Sequence, residues 1–237
     1  MIGYAEKEMP HVVNPAILAG PPPQQTFTTR SEGLTDTRLT GLIKLAEHGP
    51  HHLHAISGIS LPTGSIDEKD GTPASGGKDV ILPYPMQIGS GTFDLMPGLT
   101  YTGTAGRASW GAQYRATLRT GQNDRGYRLG NRQRLTLWGG WRLADWASVS
   151  LRASGEDAGD INGRDTALNP NLVQTADPNN HGGTTADLSV GLNLIGQEGL
   201  IRGQRLAVEA GTPVYQDLNG PQMETDWQVT VGWQYAF

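Results

Sequence analysis

The sequence predicts an all-β fold: an antiparallel up-and-down transmembrane β-barrel, with about nine strands in this chain. Three observations carry that expectation. The last stretch, 225–237, alternates without a break, with Trp227, Val229, Val231, Trp233, Tyr235 and Phe237 on one face and Asp226, Gln228, Thr230, Gly232, Gln234 and Ala236 on the other. Rings at both ends of an apolar face, with valines between, suit a strand that crosses two lipid–water interfaces. Composition agrees: 33 of 237 residues are glycine and only 36% are hydrophobic, about twice the usual glycine share and a poor basis for packed helices. Finally, short and long connections alternate along the chain, as they do where strands turn tightly on one side of a membrane and loop freely on the other.

Several classes are excluded at this level. No run of eighteen apolar residues exists, so helical membrane spans are ruled out. A net charge of −5 with scattered arginines lacks the basic stripe of a nucleic-acid binder. Without cysteine there is no disulfide, thiolate metal site or cysteine nucleophile. Met1–Pro10 and the Pro21–Pro23 run show neither the charged nor the apolar region of a signal peptide, so the expectation is an incomplete N-terminus.

Taken in order, residues 1–32 form an irregular Pro-rich lead-in and 33–237 the barrel domain. The first strand spans Asp36–Leu45, with Leu39, Gly41, Ile43 and Leu45 outward and Arg38, Thr40 and Lys44 inward. The second, His52–Leu61, turns Leu53, Ala55, Ile59 and Leu61 outward. Residues 62–91 read as a loop from their Gly, Pro, Ser and Asp content. Strand three, Thr92–Thr102, sets Phe93, Leu95, Leu99 and Tyr101 against Asp94, Met96, Gly98 and Thr100. Strand four, Arg107–Thr120, alternates Trp110, Ala112, Tyr114, Ala116 and Leu118 with Gly111, Gln113, Arg115, Thr117 and Arg119, a pattern that needs a wet inner face. Strand five carries Leu135, Leu137 and Trp141 outward and Arg132, Arg134 and Arg142 inward. Strand six, Trp146–Glu156, has Arg152 and Glu156 inward, and a second long loop follows at 157–185. Strand seven is Ala186–Leu194 with Asp187 inward, strand eight Gln204–Tyr215 with Arg205 and Glu209 inward, and 225–237 closes the series.

An odd count leaves two unpaired edges, which lipid does not tolerate, so the nine strands are expected to belong to a larger even-stranded barrel. The loop phase puts 62–91 and 157–185 outside the cell and Phe237 at the periplasmic rim. Tyr101, Trp141, Trp146, Trp233, Tyr235 and Phe237 then form one aromatic girdle. A terminal edge ending in Phe237 is also where barrel-assembly machinery would engage the chain.

The runs Leu61-Pro-Thr-Gly-Ser-Ile-Asp67, Leu82-Pro-Tyr-Pro-Met-Gln-Ile-Gly-Ser-Gly-Thr-Phe-Asp94 and Tyr215-Gln-Asp-Leu-Asn-Gly-Pro-Gln222, with the Trp233-Gln-Tyr-Ala-Phe237 ending, resemble the bacterial outer-membrane transporters of the meta-pathway of phenol degradation. The resemblance covers about Phe27 to Phe237, corresponding to the family's C-terminal portion. It implies outer-membrane lipid as surroundings and transport of small solutes, aromatic ones among them.

Candidate chemistry is sparse, and no cofactor, metal or enzymatic activity is expected. His48, His51, His52 and His54 cluster at the first short turn, where a polar rim outweighs a metal site because no carboxylate has matching spacing. Asp157, Asp160, Asn162 and Asp165 loosely resemble a calcium loop, but Asn171 stands where its glutamate should be. The informative set is the inward charge: Arg115, Arg119, Arg132, Arg134, Arg152 and Arg205 facing Asp94, Glu156, Asp187, Glu209 and Asp226. Such a set either rigidifies a narrow barrel or forms a constriction that selects solutes, anions in particular. The expected function is therefore an outer-membrane pore or transporter. A soluble or surface β-sheet protein with a binding or structural role is the alternative.

Overall fold

The computed structural model describes residues 2–12 and 26–235. Its main sheet is an antiparallel meander of β3 (Thr37–His48), β4 (His51–Leu61), β7 (Phe93–Leu95) and β8 (Gly98–Ala105), β9 (Ala108–Thr120), β11 (Arg132–Ala144), β12 (Ala147–Ala158), β14 (Gly183–Ile195), β15 (Gln204–Leu218) and β16 (Gln228–Tyr235). Each strand pairs with its sequence neighbour, β3 and β16 stand at the two ends of the order, and β7 and β8 share one position. The nine expected strands are thus the nine positions of the sheet. The third is split because Pro97 has no N–H to give the ladder, yet Leu95↔Leu118 and Gly98↔Arg115 keep one register across the break.

Strands of 12–15 residues exceed the roughly 9–11 needed to cross a bilayer. β14 and β15 accordingly begin or end three residues beyond the predicted bounds, continuing the ladder out of the apolar band to Gly183↔Leu218. At the other end the connections are tight: Gly49 (φ 56°) and Gly106 (φ 57°) take the left-handed conformation that lets two-residue turns match strand twist. A bulge between Lys44 and Ala46 leaves Leu45 without a partner of its own, still 53% exposed, and Ala46 takes the place opposite Leu53.

The reading of 1–32 as irregular is corrected for the described residues. β1 (Tyr4–Val12) and β2 (Thr26–Leu34) pair antiparallel from Tyr4↔Leu34 to Val12↔Thr26. Their exposure alternates strictly, but the covered side mixes polar and apolar residues, with Thr29 and Ser31 almost fully covered alongside Met9 and Phe27. A hydrophobic-period reading has no contrast to detect there. The long 62–91 stretch is likewise more ordered than a loop: β5 (Lys69–Gly71) and β6 (Asp79–Ile81) form a small hairpin. Further on, β10 (Tyr127–Arg128) pairs with β13 (Asn162–Gly163), joining two loops that sequence separates widely.

Burial is inverted relative to a soluble sheet. On the outer face Leu151, Val190, Val231 and Trp233 are 57–66% exposed. Opposite them Ser154 and Ser189 are 6% and 4% exposed. The packed apolar core lies in the loops instead, where Tyr84, Tyr127 and Ile161 cluster with Leu129 and Leu168 packed against them.

Candidate functional site

The inner face is built by alternation. Period two puts Asp94, Arg115, Arg119, Arg132, Arg134, Glu156, Arg152, Asp187, Glu209 and Arg205 on one side of successive strands. Cross-strand pairing then sets them side by side, Arg134 opposite both Glu156 and Arg115. Arg119 is hydrogen-bonded to Asp94, a residue with no exposed surface. Arg132 and Arg134 share Glu156 at 3.4 and 3.7 Å, and Arg134 also donates to Ser154 Oγ at 3.1 Å and lies 4.0 Å from Asp187. Arg152 pairs with Glu209, and Arg205 donates to Asn193 Oδ1 at 2.7 Å. Asp226 departs from the expectation: β16 begins at Gln228, and the exposed Asp226 precedes it, its backbone carbonyl accepting from Thr212 Oγ1 at 3.0 Å. The strand starts late because Thr225 is drawn away, its N–H donating to Gln216 Oε1 at 2.9 Å.

Over the loop end of this face sits a plug that the sequence reading missed. Residues 82–90 carry Leu82, Tyr84, Met86 and Ile88 on every second position, all buried, with Pro83 and Pro85 between. Prolines cannot join a ladder, so the segment folds inward and its backbone is satisfied by side chains. Lys7 Nζ donates to the carbonyls of Pro85 (2.8 Å) and Gln87 (2.6 Å), and Ser31 Oγ to that of Met86 (2.6 Å). Asp36 accepts from the N–H of Gly64 (3.0 Å) and Ser90 (2.9 Å) and from Ser90 Oγ (2.8 Å). Beside the plug is a cavity of about 590 Å³ whose wall includes Lys7, Asp36, Arg38, Arg119, Arg132, Ile161 and Gln222. Its lining draws on the chain entering β3, the loop-side ends of β9 and β11, and Gln222 in the loop ahead of β16.

The loops are clamped to one another by charge and rings. Arg125 bridges Asp165 and Asp67, the latter at 2.8 Å, and the hydrogen bond to Asp165 holds its guanidinium above its ordinary pKa. Tyr127, edge-on to Tyr84 at 4.8 Å, has its phenol pushed up by burial to about 12. His181 stands edge-on to Tyr84 at 5.3 Å and shares a 3.0 Å hydrogen bond with the Thr175 carbonyl. Burial lowers its pKa from the ordinary 6.5. With the folded pKa depressed, the unfolded chain binds the proton more readily, so stability is complete above pH about 6.5 and is lost as pH falls through that value. Proteolysis of the 160–182 loop should accelerate between pH 7 and 5, and His181→Gln should flatten that dependence.

The other candidate residues fall as follows. Trp141, Trp146, Trp233 and Tyr235 are more than half exposed on the outer face near the short turns, and Tyr101 joins them, stacked on His51 and bonded to its Nδ1 at 2.8 Å. Phe237 lies outside the described residues. The histidines do not converge: His51 belongs to the outer face with Tyr101, whereas His52 and His54 turn inward with ring centroids 6.4 Å apart. No group of three potential ligands forms among the described residues. Asp157, Asp160 and Asp165 are spent on separate partners, Thr184, Gly182 and Arg125 respectively.

A family model described as the putative MetA-pathway of phenol degradation matches residues 11–200. Among solved structures, an outer membrane channel from Pseudomonas putida F1 is similar with a TM-score of 0.59 at 14% identity, over 87% of this chain and 73% of that one. A loop-deletion mutant of OmpT, an outer membrane protein of Vibrio cholerae, is similar with a TM-score of 0.50 at 14% identity, over 83% of this chain and 53% of that one. This chain therefore spans about half the length of that protein. At such identities the likeness is one of fold, that of outer-membrane β-barrels. Among curated proteins, none is significantly similar in sequence.

Proposed function

The chain belongs to the family described as the putative MetA-pathway of phenol degradation, and from that premise we propose that it is an outer-membrane pore that conducts small aromatic or anionic solutes past the plug and along the charged inner face. One observation carries the reading. Eight of the nine positions of the sheet present exposed large apolar side chains on the outer face, β4 alone having its outward residues half-buried, and among the described residues no layer packs on that face, while the arginines and carboxylates turn inward. A soluble sheet would leave that face in water at about 25 cal/mol per Å²; hydrocarbon is the solvent it suits. The inner face holds paired charges and a cavity rather than a packed core, which suits conduction rather than catalysis. The test is conductance: the full chain in planar bilayers should give discrete steps, and a chain that binds vesicles without conducting would contradict the proposal.

The plug end faces outward in this reading. Cysteine at Ala74 or Asn179, both exposed, should react with an impermeant maleimide on intact cells. Labelling only after the outer membrane is broken reverses the orientation. Engagement of the assembly machinery through the C-terminal edge belongs to the same proposal, and deleting Phe237 should leave the protein in the periplasm while folding into detergent persists.

A further inference from the structure

Among the inner-face arginines, Arg115 is distinct. Arg119, Arg132, Arg134 and Arg152 each have a carboxylate within 4.0 Å, and Arg205 has the Asn193 amide. Arg115 has no hydrogen-bond or ion-pair partner among the described residues, and it is exposed. Across the ladder it faces Arg134 directly, a like-charge placement that costs stability on its own. The packing eases that cost without removing the charge. On the other side Arg115 is opposite Gly98, where a Cβ would lie 3.3 Å from Arg115 Cγ and 3.2 Å from Ile56 Cδ1, so the side-chain stem leans over the glycine, away from Arg134.

The surroundings give this free charge a direction. The cavity beside the plug is walled by Arg119 and Arg132. On β9 and β11 the next inward residues with long side chains are Arg115 and Arg134, so cations continue from the cavity into the sheet. Of the inward arginines Arg115, Arg119, Arg132, Arg134, Arg152 and Arg205, four have a carboxylate within 4.0 Å, and Arg115 on β9 and Arg205 on β15 have none. An uncompensated cation in a narrow, partly desolvated path concentrates counter-ions and repels cations.

Resting on the pore reading, we propose that the path is selective for small organic and inorganic anions and that Arg115 is the specificity-determining residue. It binds the passing carboxylate or halide transiently.

The test is the reversal potential of the full chain in planar bilayers under a potassium chloride gradient, repeated with potassium benzoate. The unmodified chain should be anion-selective, Arg115→Gln should lose that preference, Arg115→Glu should reverse it, and Arg115→Lys should retain it. Arg202→Gln, on the exposed connection between β14 and β15, should leave it unchanged. Conducting channels whose selectivity is the same in the chain and in Arg115→Gln, or that prefer cations from the start, overturn this inference alone. Absence of any conductance overturns the pore reading and this inference with it.

Discussion

Arginine at Val190 or Val229 should cost about 2–4 kcal/mol of stability in the membrane, because each lies near mid-strand on the outer face and would put a guanidinium in hydrocarbon. Val190 is 63% exposed and Val229 53%, with nothing of the protein above them to pair the charge. The matched inward substitutions are Gln228→Arg and Thr230→Arg, which should cost less than about 1 kcal/mol because the charge enters water. By pattern alone Ser189 is an equivalent inward control, but the structure disqualifies it. Ser189 is 4% exposed and its Oγ lies 2.2 Å from where a Cβ on Gly211 would stand, so an arginine there would fail sterically. Reversible unfolding from lipid vesicles in denaturant measures the difference, and equal costs on the two faces contradict the assignment.

Asp94→Ala should be the most damaging single change on the inner face. The carboxylate is fully buried, accepts from Thr92 Oγ1 at 2.7 Å and holds the Arg119 guanidinium, which is itself 12% exposed and has a buried Nε without an acceptor. Removing one member of such a pair leaves an uncompensated charge, at about 3–5 kcal/mol. Because Ser90 Oγ also reaches Asp94 at 3.4 Å, and Asp36 at 2.8 Å, the loss should propagate into the plug. The expected result is faster protease cleavage within 84–90 and larger single-channel steps. Arg132→Ala supplies the contrast: its contact with Glu156 is 3.4 Å on a side chain 57% exposed, and such pairs contribute at most about 1 kcal/mol.

These two cases show where sequence was sufficient. Period two with apolar contrast located all nine positions of the sheet, because lipid on one side and water on the other forces the alternation. It could not find β1 and β2, since Glu6, Glu8 and Arg30 alternate with Lys7, Thr29 and Ser31 and apolar residues are divided between the two sides. Nor did composition reveal the plug, although a signal was there. Leu82, Tyr84, Met86 and Ile88 keep strand period while Pro83 and Pro85 forbid strand pairing, which marks a segment with apolar groups to bury and no ladder to join. The pairing of Arg125 with both Asp67 and Asp165 spans 58 and 40 residues and had no local trace at all. Pairing partners across loops depend on the tertiary path, and a single sequence carries no period that reports it.

The account's central claim is that the sheet separates lipid from a hydrated path. A spin label carried residue by residue along Ala186–Leu194 of the chain in lipid vesicles tests it most directly. Labels at 188, 190 and 192 should be accessible to oxygen and shielded from a water-soluble nickel complex, and labels at 187, 191 and 193 should show the opposite, giving a period of two. Accessibility to the nickel complex at every position, with no alternation, would contradict it.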